Sequence, residues 1–195
     1  MLYIPMFPLR LKKEKVTEEE LLTFCESNRE PAIERDSSNN ILVMSPTSSY
    51  TSEANASIFA EVYLWNKKNK QGKVYDSSGG FILPNSAMRS PDASFISNES
   101  FKILSEDDKK GFYEICPDFI IELKSPLDDL KMLQSKMKEY IENGCSLAWL
   151  IDLDKQNVFV YDKEGNIEIH SNFRTALKGK FFMSTFEITL SKILP

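Results

Sequence analysis

The chain has 195 residues, 42% of them hydrophobic and 11% aromatic, enough to bury one good core and short for two. A charged fraction of 27% with both signs mixed, together with seven Gly and nine Pro, excludes disorder, collagen-like repeats and low complexity. The net charge of −5 also speaks against a protein that coats nucleic acid through Lys and Arg alone.

One compact domain over 1–195 is therefore expected, with residues 1–30 forming an N-terminal extension that carries a short helix. The opening MLYIPMFPLRLKKEK holds two prolines within its first eight residues and no unbroken apolar run, so neither a signal peptide nor a membrane span fits, and a cytoplasmic protein is expected. Thr17 to Glu20 reads as a capping box that opens a helix carrying Leu21, Leu22 and Cys25 on its apolar side and ending near Asn28. Ala32 to Arg35 and Ile41 to Met44 flank a polar turn and read as a hairpin. From about Ser52 to Asn69, Ala54, Ile58, Val62 and Trp65 recur at spacings of four, four and three, the pattern of an amphipathic helix. The basic run Lys67 to Lys73 fits a solvated helix end, and could also steer a polyanion.

Short strands are expected at Lys73 to Tyr75, Gly80 to Leu83 and Asp92 to Ile96, followed by a charged, weakly helical stretch through Lys110. Phe119 to Lys124 is a buried-strand run that ends in charge, and Asp128 to Glu142 is a helix closed by Asn143-Gly144. Leu147 to Asp152, Val158 to Tyr161 and Phe186 to Leu190 complete the strands. Strand, helix, strand at that length is a βαβ crossover, so the fold class is α/β or α+β with a mixed sheet and helices on its faces. Cys25, Cys116 and Cys145 are scattered, lack CxxC spacing and read as reduced core thiols; a lone His170 builds neither a zinc site nor a His-centred triad.

Chemistry concentrates at the end of the Phe119 strand. Side chains alternate along a strand, so Glu122 and Lys124 share one face and Leu123 points to the other. Four (D/E)xK triplets occur, Asp107/Lys109, Asp108/Lys110, Glu122/Lys124 and Asp129/Lys131, where about three are expected at random. Only Glu122/Lys124 lies on a strong strand, and context singles it out. The segment RSPDASF puts Asp92 at the start of another strand, from which it could join Glu122 on one Mg²⁺.

Pro91-Asp92 followed by Glu122-Leu123-Lys124 resembles the PD-(D/E)xK nuclease superfamily, and more closely the Uma2-like family of bacterial restriction endonucleases. The likeness extends from about Ile33 through ILVMSPTSS, the helix with Asn55, RSPDASF, CPDFIIELKSP, LQSKMKEYIENG, LAWLIDLDKQNVFVY and FEITL. It implies a restriction-endonuclease-like fold with a central mixed β-sheet flanked by helices. It further implies Asp92 and Glu122 as ligands of a divalent metal, Mg²⁺ or Mn²⁺, and Lys124 as catalytic lysine; the expected function is a DNA endonuclease, acting as a homodimer because a double-strand cut needs two sites. Gln134, Lys136 and Tyr140 match the family's helix, to contact DNA, brace the site or form a solvated helix face. Asp118 of the second Pro-Asp pair is a rival acid, disfavoured because it lies about 13 Å further down its own strand. Glu34 and Glu53 are accessory candidates, and Tyr50 and Thr51 stand where some relatives carry a His or Glu. The other reading is a catalytically silent nuclease-like fold that binds nucleic acid or protein. A small-molecule enzyme finds no GxGxxG, Walker loop or GxSxG to support it.

Overall fold

The computed structural model describes residues 9–12, 16–28, 32–105, 111–126 and 128–194. The chain divides into two compact units. The first draws on Met1–Pro46, Ser78–Ser90 and Leu104–Ile115, and the second on Thr47–Ser77, Pro91–Ile103 and Cys116–Pro195.

In the first unit, β1 (Leu9–Lys12), β2 (Ala32–Arg35), β3 (Asn40–Met44), β5 (Phe81–Ile82) and β6 (Met88–Arg89) form an antiparallel sheet in the order β1-β3-β2-β6-β5. The expected hairpin is β2-β3. Its turn closes because the Asp36 carboxylate accepts from the Ser38 and Asn40 amides, while Asn39 takes the left-handed conformation at φ 67°. Helix α1 (Glu18–Ser27) opens on the expected capping box of Thr17 and Glu20 and ends at Asn28. Its Leu21 packs with Ile33, Ile41 and Met88, while Cys25 is half-buried. Strand β5 is shorter than the expected run from Gly80 to Leu83.

In the second unit, β4 (Gly72–Asp76), β7 (Ala93–Ser97), β8 (Phe119–Lys124), β9 (Leu147–Asp152), β10 (Asn157–Asp162) and β11 (Ile167–His170) make a sheet in the order β11-β10-β9-β8-β7-β4. Strands β8 and β9 are parallel and the other neighbours antiparallel, so the sheet is mixed. The parallel pair requires a crossover, supplied by α4 (Leu130–Glu142). This helix starts where the Asp129 carboxylate accepts from the Met132 amide and stops at Asn143, with Gly144 in the left-handed region at φ 104°. Asp129 of the last (D/E)xK triplet is thus a helix cap. The triplets Asp107/Lys109 and Asp108/Lys110, and with them the end of the charged stretch, lie outside the described residues.

Helix α2 (Ser49–Asn69) buries Ala54, Ile58 and Val62 against one face of the sheet, as its periodicity predicts. That face supplies Ala93, Phe95, Phe119, Ile121, Leu123, Trp149, Ile151, Val158 and Val160. The C-terminal segment adds Phe186, whose ring stacks on Trp149 at 5.8 Å, and Phe119 meets Trp149 edge-on at 4.9 Å. Lys67 and Lys68 sit in the last turn of α2, where cations complement the helix dipole. Gly72 is required after it, because a Cβ there would lie 2.0 Å from the Ile96 carbonyl oxygen. The strand expected over Phe186 to Leu190 is reduced to β13 (Glu187–Ile188), paired with β12 (Leu177–Lys178), because Leu190 already starts a 3₁₀ turn. Helix α3 (Asn98–Ile103) realises the weakly helical stretch in part. No described helix is long and apolar enough to cross a membrane.

Asp162 ends β10 with its carboxylate held by Lys180 Nζ at 2.8 Å and by the Glu164 and Asn166 amides at 3.1 Å. Burial alone raises its pKa, but the hydrogen bonds from Lys180 and Asn166 and the Lys180 charge outweigh it and hold the group below its ordinary range. A depressed folded-state pKa contributes stability that is present above the unfolded carboxylate's titration and lost as pH falls through the folded value. Asp162→Asn is expected to cost about 1–3 kcal/mol near neutral pH. Thermal melts should show the gap to wild type closing as the pH is lowered through the carboxylate range.

Candidate active site

Register decides which side chains meet on β8. Ala93 pairs with Ile121, and both point into the α2-side core. The next pair along the two strands, Asp92 and Glu122, therefore faces the opposite side, the side covered by α4. Asp92 itself lies one residue before β7, not inside it, and is half-buried. Its Oδ2 accepts from the Leu123 amide at 2.7 Å, which ties the carboxylate to β8 between Glu122 and Lys124. Leu123 points into the α2-side core, so Glu122 and Lys124 share the α4 side as alternation predicts.

Glu122 is 5% exposed. A carboxylate taken out of water needs donors and countercharge, and α4 supplies both. Tyr140 donates its hydroxyl to Glu122 Oε1 at 2.8 Å, and Lys136 Nζ lies 2.7 Å from the same oxygen. Residues 136 and 140 are one turn apart and present one face of α4 to the strand. Lys136 and Tyr140, whose role the sequence leaves open between DNA contact, bracing and a solvated helix face, both hold Glu122 Oε1.

Lys124 is 7% exposed and donates to the Ser125 carbonyl at 3.0 Å, with Nζ 3.7 Å from Asp152 Oδ1. Asp152 is 1% exposed and accepts as well from the Asp154 and Lys155 amides at 3.1 Å, so it is a fixed charge beside the lysine. Sequence reasoning missed Asp152. The signal was there, because LAWLID repeats the pattern of FIIELK, an apolar strand ending in charge, and a parallel register puts Lys124 opposite Asp152.

The remaining candidates are placed elsewhere. Asp118 precedes β8 at its other end, where its carboxylate accepts from the Ser97 amide at 2.7 Å and the Ser100 hydroxyl at 2.9 Å, fixing the start of α3. Glu34, in the first unit, is 2% exposed and paired with Arg89 at 3.0 Å. Glu53 is exposed on α2, and Gln134 is half-buried on α4. His170 pairs with Glu168 at 3.1 Å on β11. Cys116 and Cys145 are buried free thiols; burial first, then the hydrogen bond and charge of Cys116, push Cys145 well up, which leaves it a packing group and not a nucleophile.

Asp92, just before β7, and Glu122 on β8 are two hard-oxygen donors, and among the described residues no group of three or more His, Cys, Asp or Glu gathers to form a closed cage. A pair of carboxylates without soft ligands fits Mg²⁺ or Mn²⁺, which complete their shells with water and phosphate oxygens, and does not fit structural zinc.

The family model Uma2, described as "Putative restriction endonuclease", matches residues 18–191. A crystal structure of "a putative nuclease belonging to DUF820" from Anabaena variabilis superposes with a TM-score of 0.71 at 20% identity, covering 85% of this chain and 90% of that one. At that identity the likeness speaks for the fold, and it agrees with the restriction-endonuclease-like architecture expected from sequence. No curated protein matches the chain.

Removing the hydroxyl that braces the buried carboxylate has a definite consequence. Tyr140→Phe is expected to cost about 1.5–3 kcal/mol, the usual worth of a hydrogen bond to a charged group. In a chain of this size that lowers the melting temperature by roughly 2–4 °C for each kcal/mol, readable by calorimetry.

Proposed function

Because this chain belongs to the Uma2 family, we propose that it hydrolyses phosphodiester bonds in DNA, with Mg²⁺ or Mn²⁺ held by Asp92 and Glu122 and with Lys124 as the catalytic lysine. The observation that carries this reading is the β7-β8 register, which sets both carboxylates on one face with Lys124 two residues further along. A bound divalent cation supplies Lewis-acid polarisation of the scissile phosphate and acidifies water.

The chain's own residues do the rest. Lys124 carries its ammonium toward the reacting phosphate, where it stabilises the charge that grows on the phosphoryl oxygens as water attacks and the leaving oxygen departs. Asp152 and the Ser125 carbonyl hold that ammonium and limit its swing, so Asp152 is a positioning residue. Tyr140 fixes Oε1 of Glu122 and with it the orientation of the whole carboxylate. A double-strand cut takes two such sites, and the working form in this reading is a homodimer acting on DNA in the cytoplasm.

The test is plasmid cleavage. Supercoiled and linear DNA with Mg²⁺ or Mn²⁺ should be nicked or cut. EDTA should abolish the activity, and Glu122→Ala and Lys124→Ala should each lower it by at least about 100-fold. Folded wild-type protein that leaves DNA intact, and whose melting temperature ignores both metals, would instead favour the non-catalytic binding module. Asp152→Asn is expected to reduce kcat by up to about 100-fold while leaving KM nearly unchanged, because it misplaces Lys124 without touching substrate. Steady-state kinetics on a short duplex separates the two constants.

A further inference from the structure

The two donors on Glu122 Oε1 are unlike each other. Tyr140 is buried and has a rigid ring that can deliver its hydroxyl in few ways. Lys136 reaches the same oxygen on a flexible four-carbon stem, and its side chain keeps 13% exposure. Its ammonium also lies 5.8 Å from the centroid of the Tyr140 ring, a face that attracts cations. One donor is therefore held by a rigid ring and the other is a cation on a flexible stem.

Among these named side chains, Asp92, Glu122 and Asp152 against Lys124 and Lys136 make three carboxylates and two ammoniums, a net of one negative charge. With Lys136 seated, the charge of Glu122 is already spent, and a second cation beside it meets repulsion in a poorly hydrated setting. Resting on the metal-dependent reading above, we infer that Lys136 is the resident counter-ion of Glu122 and competes with the divalent cation for that carboxylate. Lys136 keeps the buried carboxylate neutralised while the site is empty of metal, and so sets how much metal is needed to load it. Tyr140 stays on Oε1 in both states.

The test is metal binding, read without nucleic acid. Mn²⁺ affinity is measured by titration calorimetry and by thermal shift for wild type, Lys136→Met and Lys136→Arg. Lys136→Met should bind Mn²⁺ about tenfold or more tighter than wild type. Lys136→Arg, which keeps the charge and can grip a carboxylate with two donors, should bind no tighter than wild type. Equal or weaker binding by Lys136→Met overturns the inference and leaves the metal-site reading standing. Absence of Mn²⁺ binding in wild type and Lys136→Met alike overturns both. Should Lys136→Met fail to fold, lysine ammonium NMR on the wild type decides. The Lys136 signal, assigned by its loss in Lys136→Arg, must move as Mg²⁺ is added, and a signal that stays fixed through saturation overturns the inference.

Discussion

The carboxylate of Glu122 is the constraint on which the second unit depends. It sits on a strand buried along all six residues, where an uncompensated charge would cost several kcal/mol. Two of its partners come from α4, the crossover that the parallel pair β8 and β9 requires on that side. The βαβ connection, the start of α4 at Asp129 and its stop at Gly144 all serve to bring residues 136 and 140 over Glu122.

Strand β8 divides labour between its faces. Phe119, Ile121 and Leu123 pack into the core beneath α2, and that packing makes the strand rigid. Glu122 and Lys124 point the other way and meet polar and charged partners on α4, on β9 and at the strand's own end. A site built on the central strands of a sheet is held more precisely than one on loops, and here each charged side chain has its own fixed neighbour. Two buried ion pairs side by side are weak evidence for stability, since burying charge is costly in itself. Their placement beside Asp92 is what the proposed reaction would use.

Much of this was legible in the chain. The amphipathic spacing of Ala54, Ile58 and Val62, the capping box at Thr17 and the apolar run ending in Glu122-Leu123-Lys124 each follow from a local rule, and the structure keeps all three. What local rules could not show is partnership across elements. Asp118 looked like a rival acid because a Pro-Asp pair carries no mark of the serines, Ser97 and Ser100, that claim its carboxylate. Asp152 was passed over because its meaning lies in the register between two strands separated by a helix. Lys136 and Tyr140 could be set on one helix face from sequence, but the single oxygen they share is a tertiary fact. The C-terminal strand was overestimated for a related reason: Leu190 is apolar enough to extend it, yet its burial is reached by a 3₁₀ turn.

Anomalous diffraction at the manganese edge, on crystals soaked in Mn²⁺, addresses the site most directly, because it locates the cation without relying on turnover. The expected result is a single strong peak bounded by oxygens of Asp92 and Glu122, with Tyr140 still on Oε1. Glu122 found closed on Lys136 and Tyr140 with no manganese beside it at saturating concentration, or manganese bound only at other carboxylates, would contradict a metal centre on β8.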